Sequence, residues 1–295
     1  MTAPLPQSPE PSLSDVGQWH ASLQLTLQRR RGGTRLTHST HSGPLYIQKP
    51  FYPEGPECAH VYLLHPPGGI VSGDCLQVEV LADELAGILV TTPGAARAYR
   101  ARESNSLQRQ STRLSARQVS CIEWFPLETF VYDGACVEVE TQVELEDGAH
   151  CALWEVSCLG LTASDAPFLR GRFSQRYAVT QGGRPVFVDG FTLDESNISG
   201  LAGPAGLRQQ PVTGFFLMGP FADEDWEQRL HALRETPLAQ QYQDDAALTR
   251  VGDYCVGRYL GRSAEHARGL FAHWWSLLRP QLLGRPASPP RIWLT

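Results

Sequence analysis

The amino-acid sequence predicts a mainly β fold that ends in about two α-helices. Between about residues 18 and 220, short segments alternate apolar and polar residues with a period of two. Clusters of Gly, Pro and Asp separate these segments as turns. After residue 220 the apolar residues recur at helical spacing instead. Because no helical segments lie between the strands, a fold of alternating strands and helices is disfavoured.

The strand pattern is clearest in three segments. "WHASLQLTL" begins at Trp19, "LQVEVL" at Leu76 and "CVEVETQVEL" at Cys136. Apolar side chains occupy alternate positions in each, which is typical of a strand that is buried on one face. The side chains predicted to face the core are Trp19, Ala21, Leu23, Leu25, Leu27, Leu76, Val78, Val80, Val137, Val139, Val143 and Leu145.

Two C-terminal helices are predicted from apolar residues at spacings of three and four. The predicted spans are about 223–236 and 263–279. Asp223 and Ser263 precede them and are suitable N-cap residues. Pro237 limits the first helix, and Pro280 is expected to kink or end the second. The apolar positions are Trp226, Leu230, Leu233, Ala267, Leu270, Phe271, Trp274 and Leu278.

The composition predicts one globular domain in the cytoplasm. Residues 1–17 are rich in Pro and Ser and are expected to form a disordered lead-in, whereas residues 18–295 are expected to form a single β-rich domain. The lead-in lacks the pattern of a signal peptide, and no apolar run reaches the length of about 18 residues that predicts a membrane span. The seven cysteines include no CxxC pair, which predicts buried thiols rather than disulfides or a zinc site.

Charge and motif content exclude several functions. The net charge of −6 argues against a nucleic-acid partner. Lys49 is the only lysine and stands in "IQKPF", so the chain has no Walker A loop for nucleotide hydrolysis. The arginine-rich stretch from Arg97 to Arg117 is interpreted as a solvated face or a contact for an acidic protein. No dinucleotide fingerprint, hydrolase elbow or HExxH zinc motif occurs.

The segment "LHPPGGIVSGD" (Leu64–Asp74) is predicted to be a rigid turn rather than a phosphate-binding loop. Its prolines restrict φ, its glycines permit close backbone approach, and a strand follows it instead of a helix. His65 is either a metal ligand or base, or a histidine positioned at a strand end. Asp74 is either a functional carboxylate or the residue that closes an Asx turn.

Carboxylates interrupt or flank apolar strands at several positions. They are Glu128, Asp133, Glu155 and Asp189. A carboxylate buried in an apolar strand costs several kcal/mol unless it is paired, hydrated or bound to an ion. Each of them is compatible with a solvent-facing position, and together they are compatible with a hydrated interior. Such an interior would suit a divalent transition metal such as nickel, in transit or weakly bound, because the groups lack the tight spacing of a fixed site.

The sequence is also compatible with an enzyme. A soluble β-rich hydrolase or lyase would use His65, Asp74 and Glu128, although no recognisable nucleophile or zinc spacing supports it. A third interpretation is a module with structural protein contacts and no role in metal handling.

Five ordered motifs resemble the urease accessory protein family UreD, also called UreH. They are "FYPEGPECAHVYLLHPPGGIVSGD" (51–74), "TTPGAARAYR" (91–100), "IEWFPLETFVYDGA" (122–135), "WEVSCLG" (154–160) and "PRIWLT" (290–295). The resemblance extends from about Trp19 to Thr295. It identifies the chain as a member of a family that assists urease maturation.

The resemblance implies a fold, partners and a route for nickel. The implied fold is an irregular β-helix-like stack of short strands with a few helices. The implied role is that of a non-enzymatic scaffold, in a hetero-oligomer with UreF, with the GTPase UreG through UreF, and with the urease apoprotein. No tightly bound cofactor is implied, only nickel in transit to the urease active site. The candidate residues along an internal nickel passage are His65, Asp74, Glu155 and Asp189.

Overall fold

The computed structural model describes residues 19–102, 106–198, 202–222 and 225–294. The strands are β1 (His20–Arg30), β2 (Gly33–Ser42), β3 (Tyr46–Ile47), β4 (Cys58–Leu64), β5 (Cys75–Ala82), β6 (Gly87–Thr91), β7 (Ala96–Ala98), β8 (Gln108–Ala116), β9 (Cys121–Phe125), β10 (Thr129–Val131), β11 (Cys136–Leu145), β12 (His150–Leu161), β13 (Ala166–Pro167), β14 (Arg172–Gln181), β15 (Arg184–Leu193), β16 (Val212–Gly219), β17 (Ala246–Val251) and β18 (Tyr254–Gly261). The helices are α1 (Trp226–Arg234), α2 (Pro237–Gln241) and α3 (Ala264–Leu283). The expected lead-in at residues 1–17 lies outside the described residues.

Successive strands alternate between two sheets. Sheet A has the order β15-β14-β11-β8-β5-β1-β2, and sheet B has the order β17-β18-β16-β12-β9-β6-β4-β3. In sheet A, β1, β5, β8, β11 and β14 are parallel neighbours. In sheet B, β4, β6, β9 and β12 are parallel neighbours. Parallel strands normally need a long crossover connection, and here the strand of the opposite sheet provides it.

Three consecutive coils therefore form an irregular β-helix. Each coil contributes one strand to sheet A, one to sheet B and one short strand at the corner that follows: β5-β6-β7, β8-β9-β10 and β11-β12-β13. The short strands β7 and β10 pair in parallel, and β10 also pairs with the second half of β12. The β-helix-like fold expected from the family resemblance is confirmed.

Burial explains why some strands alternate and others are apolar throughout. The inner faces of both sheets form one core, while the outer face of sheet B packs against the helices and the C-terminal tail in a second core. Sheet A exposes its outer face, so β5 and β11 alternate as predicted. Sheet B is covered on both faces, so all residues of β6 and β9 are buried. Trp19 alone among the predicted core residues is half exposed.

The outer face of sheet A carries columns of alternating charge. The acidic side chains of β5 and β11 lie on either side of the arginines of β8. The ion pairs across these columns are Arg109–Glu138, Arg113–Glu79, Arg117–Asp83 and Arg172–Glu138. This part of the arginine-rich stretch is the solvated face that the sequence predicted. Cross-strand pairs of opposite charge favour the observed register over a shifted one.

We expect charge reversal at Arg113 to destabilise this register. Arg113→Glu places a carboxylate directly opposite Glu79, because the two residues are partners in the β5–β8 ladder. Like charges in direct register are unfavourable, so the free energy of unfolding should fall by about 0.5–1 kcal/mol. Urea denaturation measures the change. The swap Arg113→Glu with Glu79→Arg restores the pair and should recover most of the loss; no recovery in the double variant would contradict the ladder.

The C-terminal helices differ from the prediction in two ways. Asp223 lies outside the described residues, and Pro237, expected only to limit the first helix, also begins the short helix α2. Ser263 caps α3 as predicted, accepting a hydrogen bond from the backbone N–H of His266. The predicted end of this helix near residue 279 was wrong, because α3 continues past Pro280 to Leu283. It stops at Gly284, which adopts the left-handed conformation.

Buried contacts explain why α3 continues past Pro280. Leu278 and Arg279 are both fully buried, so this turn is held by packing and by ion pairs rather than by backbone bonds alone. The tail beyond the helix also packs against sheet B. Trp293 packs against Trp154 and donates a hydrogen bond to the hydroxyl of Thr91, 2.9 Å away. Among the described residues, no helix combines the length and hydropathy needed to span a membrane.

The cysteines are free, as predicted. Cys75 is partly exposed and the other six are buried. Burial raises the pKa of Cys151, Cys158 and Cys255 to about 12. These thiols therefore stay protonated at neutral pH, and they behave as small apolar side chains rather than as metal ligands.

Candidate functional site

A cavity of about 370 Å³ enters the β-helix where the chain turns from sheet B to the short corner strands. Its outer part is lined by His65 and Pro66 of the "LHPPGGIVSGD" loop and by Pro93, Gly94 and Arg97. Pro66, Pro93 and Gly94 are exposed, so the cavity opens at the protein surface. Its inner wall is mostly apolar and ends at four polar side chains between the sheets: Gln110, Glu155, Ser157 and Gln175.

Glu155 is the carboxylate at the inner end of this cavity. It projects from β12 into the core between the sheets and is 7% exposed. Trp124 Nε1 and Thr141 Oγ1 donate hydrogen bonds to Glu155 Oε1 over 3.0 and 2.6 Å, and Gln175 Nε2 donates to Oε2 over 2.9 Å. The donors come from β9, β11 and β14, so two coils of the β-helix and the strand that follows them assemble the site.

The charge state of Glu155 depends on two opposing effects. Burial raises the pKa of Glu155, while the hydrogen bonds from Thr141, Trp124 and Gln175 favour the ionised form. No cationic side chain pairs with it among the described residues. A carboxylate held by neutral donors in a low-dielectric core has a strong affinity for a cation, because nothing else neutralises its charge.

A second cavity, of about 590 Å³, lies on the other side of Gln175. It is lined by Tyr177 and Asp189, and it reaches the surface at the exposed residues Gly190 and Gly206. Asp189 Oδ2 accepts a hydrogen bond from Arg258 Nη1 over 2.6 Å. The carboxylate of Asp189 is therefore neutralised by a partner, unlike that of Glu155.

Gln175 is the only described residue that lines both cavities. Tyr177 follows on the same face of β14 and is the register partner of Asp189 on β15. Burial raises the pKa of the Tyr177 hydroxyl, and the charges of Glu155 and Asp189 raise it further. Tyr177 therefore lies within electrostatic reach of both carboxylates. The two cavities thus lie on either side of Gln175.

His65 lies at the outer end of the first cavity. Burial lowers the pKa of His65, and the charge of Asp74 only partly opposes this effect. The imidazole is therefore neutral at neutral pH and keeps a lone pair that can bind a metal. Arg97, the other charged residue at this opening, is half-buried.

Asp74 has a different place from the other three predicted route residues. It is not among the residues that line either cavity. Its carboxylate accepts hydrogen bonds from the backbone N–H groups of Trp19 and Val71, over 3.0 and 2.9 Å. Asp74 thus closes the turn that ends the "LHPPGGIVSGD" loop and ties it to the start of β1. Contact of Asp74 with nickel stays a prediction.

The close packing of this loop explains one of its glycines. A Cβ atom on Gly69 would lie 2.5 Å from the ring of Tyr99 and 2.7 Å from the carbonyl oxygen of Arg97. The loop also pairs with the corner strand through the backbone of Ile70, which donates to the carbonyl of Arg97 over 2.8 Å. The turn forms part of the cavity wall because only glycine permits this approach.

The residues of the hydrolase interpretation do not converge on one site. Glu128 forms an ion pair of 2.8 Å with Arg268 of α3. Asp74 is committed to backbone groups, and only His65 lines the cavity. A base, an acid and an orienting group must lie within hydrogen-bond reach of one another, which these three side chains do not.

A second cluster has metal-ligand chemistry but already holds a cation. Ligand atoms of Glu54, Cys58 and His60 lie within 4.8 Å of one another. Arg279, fully buried, donates to both oxygens of Glu54 over 2.8 Å and to Glu123 over 2.8 Å. Burial raises the pKa of Cys58 well above its usual range, so its thiol is not a ready ligand. The guanidinium of Arg279 already neutralises Glu54, the carboxylate of this cluster.

The sequence-based predictions did not include the side chains that surround the carboxylates. Thr141 and Gln175 stand at inward positions of alternating strands, where the neighbouring inward residues are apolar. An uncharged polar residue inside an apolar stripe is the signal that would have marked them. Arg258 gave no such signal, because its pairing with Asp189 joins residues from distant parts of the chain.

Comparison with known proteins assigns this molecule to a class. Residues 20–294 match the family described as UreD urease accessory protein. A urease accessory protein UreD of Marinomonas sp. (strain MWYL1) is 39% identical, with 96% of this chain and 93% of that protein aligned. The UreD of Psychromonas ingrahamii is 40% identical over 94% of each chain, and that of Hahella chejuensis is 36% identical over 96% of this chain and 93% of its own.

The class is that of the urease accessory proteins, which assist the maturation of urease. Within this class the chain belongs to the UreD family.

Proposed function

We propose that this chain is a non-catalytic scaffold that passes nickel through its interior to the urease apoprotein. The observation that carries the proposal is the meeting of two surface-opening cavities at Gln175, with the unpaired carboxylate of Glu155 at the junction. Nickel is the cargo, and the protein keeps no tightly bound cofactor.

The chemistry along the two cavities suits a divalent cation in transit. A neutral imidazole at His65, a carboxylate at Glu155 and a paired carboxylate at Asp189 offer one ligand at a time. A resident metal site brings three or more ligands together, whereas single ligands in sequence bind weakly enough to release the ion. Apolar walls between the ligands keep other polar groups away from the cargo.

The partners in this proposal are UreF, the GTPase UreG through UreF, and the urease apoprotein, in a hetero-oligomer in the cytoplasm. The lack of a Walker A loop supports a division of labour in which another protein hydrolyses nucleotide. The scaffold then contributes structure and a route rather than a chemical step.

The test is delivery of nickel by a variant with a neutral side chain at the junction. We expect Glu155→Gln to reduce the nickel bound per urease by about tenfold or more, because the cation loses its carboxylate in the core. Urease apoprotein would be matured with the variant chain, UreF and UreG, purified, and analysed for metal content. Asp189→Asn should have a smaller effect, since Arg258 already neutralises that carboxylate.

The matched control is Glu144→Gln, which makes the same change on the exposed outer face of β11. It should leave the nickel content of urease unchanged. Wild-type nickel content with Glu155→Gln would refute the internal passage. If UreF and apo-urease still bound the chain in a pull-down, the role would then be one of structural contacts alone.

A further inference from the structure

We propose that the side-chain amide of Gln175 is a cation-operated gate between the two cavities. The inference rests on the proposed passage and assigns to one residue the step at its centre. Gln175 is 4% exposed and separates the cavity of Glu155 from that of Asp189. A cation that moves from one cavity to the other must pass its amide.

The hydrogen bonds of Gln175 define the closed position of the gate. Its Nε2 donates to Glu155 Oε2 over 2.9 Å, and its Oε1 accepts a hydrogen bond from Ser157 Oγ over 3.2 Å. Glu155 and Ser157 are alternate residues of β12 and project into the interior together. The amide of Gln175 therefore bridges two neighbours on the facing sheet.

A cation bound at Glu155 would favour the opposite orientation of this amide. The N–H groups that now face the carboxylate would face the incoming positive charge, which repels them. Inversion of the amide directs the carbonyl oxygen at the cation and the NH2 group at Ser157. A serine hydroxyl both donates and accepts, so Ser157 can accept from Nε2 after the inversion. The hydrogen bond to Glu155 is replaced by a contact between the carbonyl oxygen and the cation, and the hydrogen bond to Ser157 is kept with donor and acceptor exchanged.

The surroundings provide a next position for the ion. Tyr177 lies on the same face of β14, and its register partner Asp189 offers a carboxylate in the second cavity. The backbone around Gln175 is held closely: a Cβ atom on Gly190 would lie 2.5 Å from the carbonyl oxygen of Gln175. This close packing leaves little room for the strand to shift, so we assign opening to the side chain.

Two substitutions distinguish a gate from a residue that only stabilises the fold. Gln175→Met keeps the length of the side chain but has no carbonyl to bind the cation, so it should leave the gate closed. Gln175→Ala removes the barrier and should leave it open. If Gln175 only stabilised the fold, Gln175→Ala would slow nickel delivery more than Gln175→Met, because truncation to Ala creates a cavity that the longer Met fills.

The experiment measures the rate at which nickel appears in urease apoprotein matured with each variant in the full set of accessory proteins. We expect Gln175→Met to slow this rate by about tenfold, the effect of losing one polar contact to a charge. Gln175→Ala should match or exceed the wild-type rate. Thermal unfolding of each variant shows how far its fold is weakened.

The results test the gate and the passage separately. Equal rates for the two variants, whether both normal or both slowed, would overturn the gate, as would a slower rate for Ala than for Met. Glu155→Gln in the same assay tests the passage itself. A normal rate for Glu155→Gln removes the passage and the gate with it, whereas a slow rate for Glu155→Gln with a normal rate for Gln175→Met removes only the gate.

Discussion

Arg279→Met should lower the free energy of unfolding by about 3–5 kcal/mol, the cost of breaking a buried ion pair by removing one partner. Arg279 is fully buried, and it joins Glu54 of the segment before β4 and Glu123 of β9 to helix α3. Trp275 Nε1 also donates to Glu123 over 2.6 Å. Removal of the guanidinium leaves Glu123 without a countercharge and leaves Glu54 with only the more distant Arg285, at 3.8 Å.

Acid sensitivity provides a second measurement on the same cluster. Although burial opposes it, hydrogen bonds from His60 and Arg279 lower the pKa of Glu54 to about 2. A carboxylate with a lowered pKa in the folded state stabilises the protein above its unfolded pKa, and this contribution is lost as the pH falls toward about 2. The wild-type protein should therefore lose stability between about pH 4.5 and 2, and Arg279→Met should lose less over this range.

Chemical denaturation at several pH values measures both effects, and exposed arginines provide the control. Arg109→Ala removes an ion pair of 3.9 Å on the outer face of sheet A and should cost less than about 1 kcal/mol. Combining Arg279→Met with Glu54→Gln and Glu123→Gln removes the unpaired charges and should restore much of the loss. If the triple variant were no more stable than Arg279→Met, unpaired charge would not be the cause.

Glu155→Gln should make the protein more stable while it impairs nickel delivery. The pKa of Glu155 is raised by burial, so the folded state holds the proton more strongly than the unfolded state does. A group whose pKa is raised in the folded state stabilises the fold fully only below its pKa in the unfolded state, about 4.3. This contribution is lost as the pH rises through its pKa in the folded state. At neutral pH and above, the ionised carboxylate therefore costs stability that a neutral amide does not.

We expect the free energy of unfolding of Glu155→Gln to exceed that of wild type by about 1–3 kcal/mol at pH 8, with a smaller difference at pH 5. The new amide still accepts from Trp124 and Thr141, and Gln175 can turn its carbonyl toward it. Glu144→Gln is the control and should show no comparable gain. A destabilised Glu155→Gln at pH 8 would mean that the ionised form is the favoured one in the fold.

A gain in stability joined to a loss of delivery is the pattern expected where function requires a strained group. The β-helix holds a carboxylate in its core at a cost in folding free energy. The ion-pair cluster at Arg279 contains carboxylates that are fully paired, so it contributes to the fold without offering a site. In the proposed function, buried carboxylates of the same chain have different roles because of their partners.

Local pattern was enough to predict the strands and the approximate helices. Period-two alternation placed Val137, Val139 and Val143 on the buried face of β11, and the structure confirms each of them. Ser263 was predicted as an N-cap from the residue type and the helix that follows. The end of α3 was misjudged at Pro280, since the burial of Arg279 and Leu278 outweighs the missing backbone hydrogen bond.

The amino-acid sequence by itself determined the strand-rich class, the absence of a nucleotide-binding loop and, through its motifs, the UreD family. It also marked Glu155 and Asp189 as carboxylates in apolar strands. Only the tertiary structure decided that Asp189 is paired by Arg258 while Glu155 is held by neutral donors, and that Asp74 closes a turn. The physical reason is that a strand pattern specifies which face a side chain occupies, whereas its partners come from other coils whose stacking depends on the whole chain.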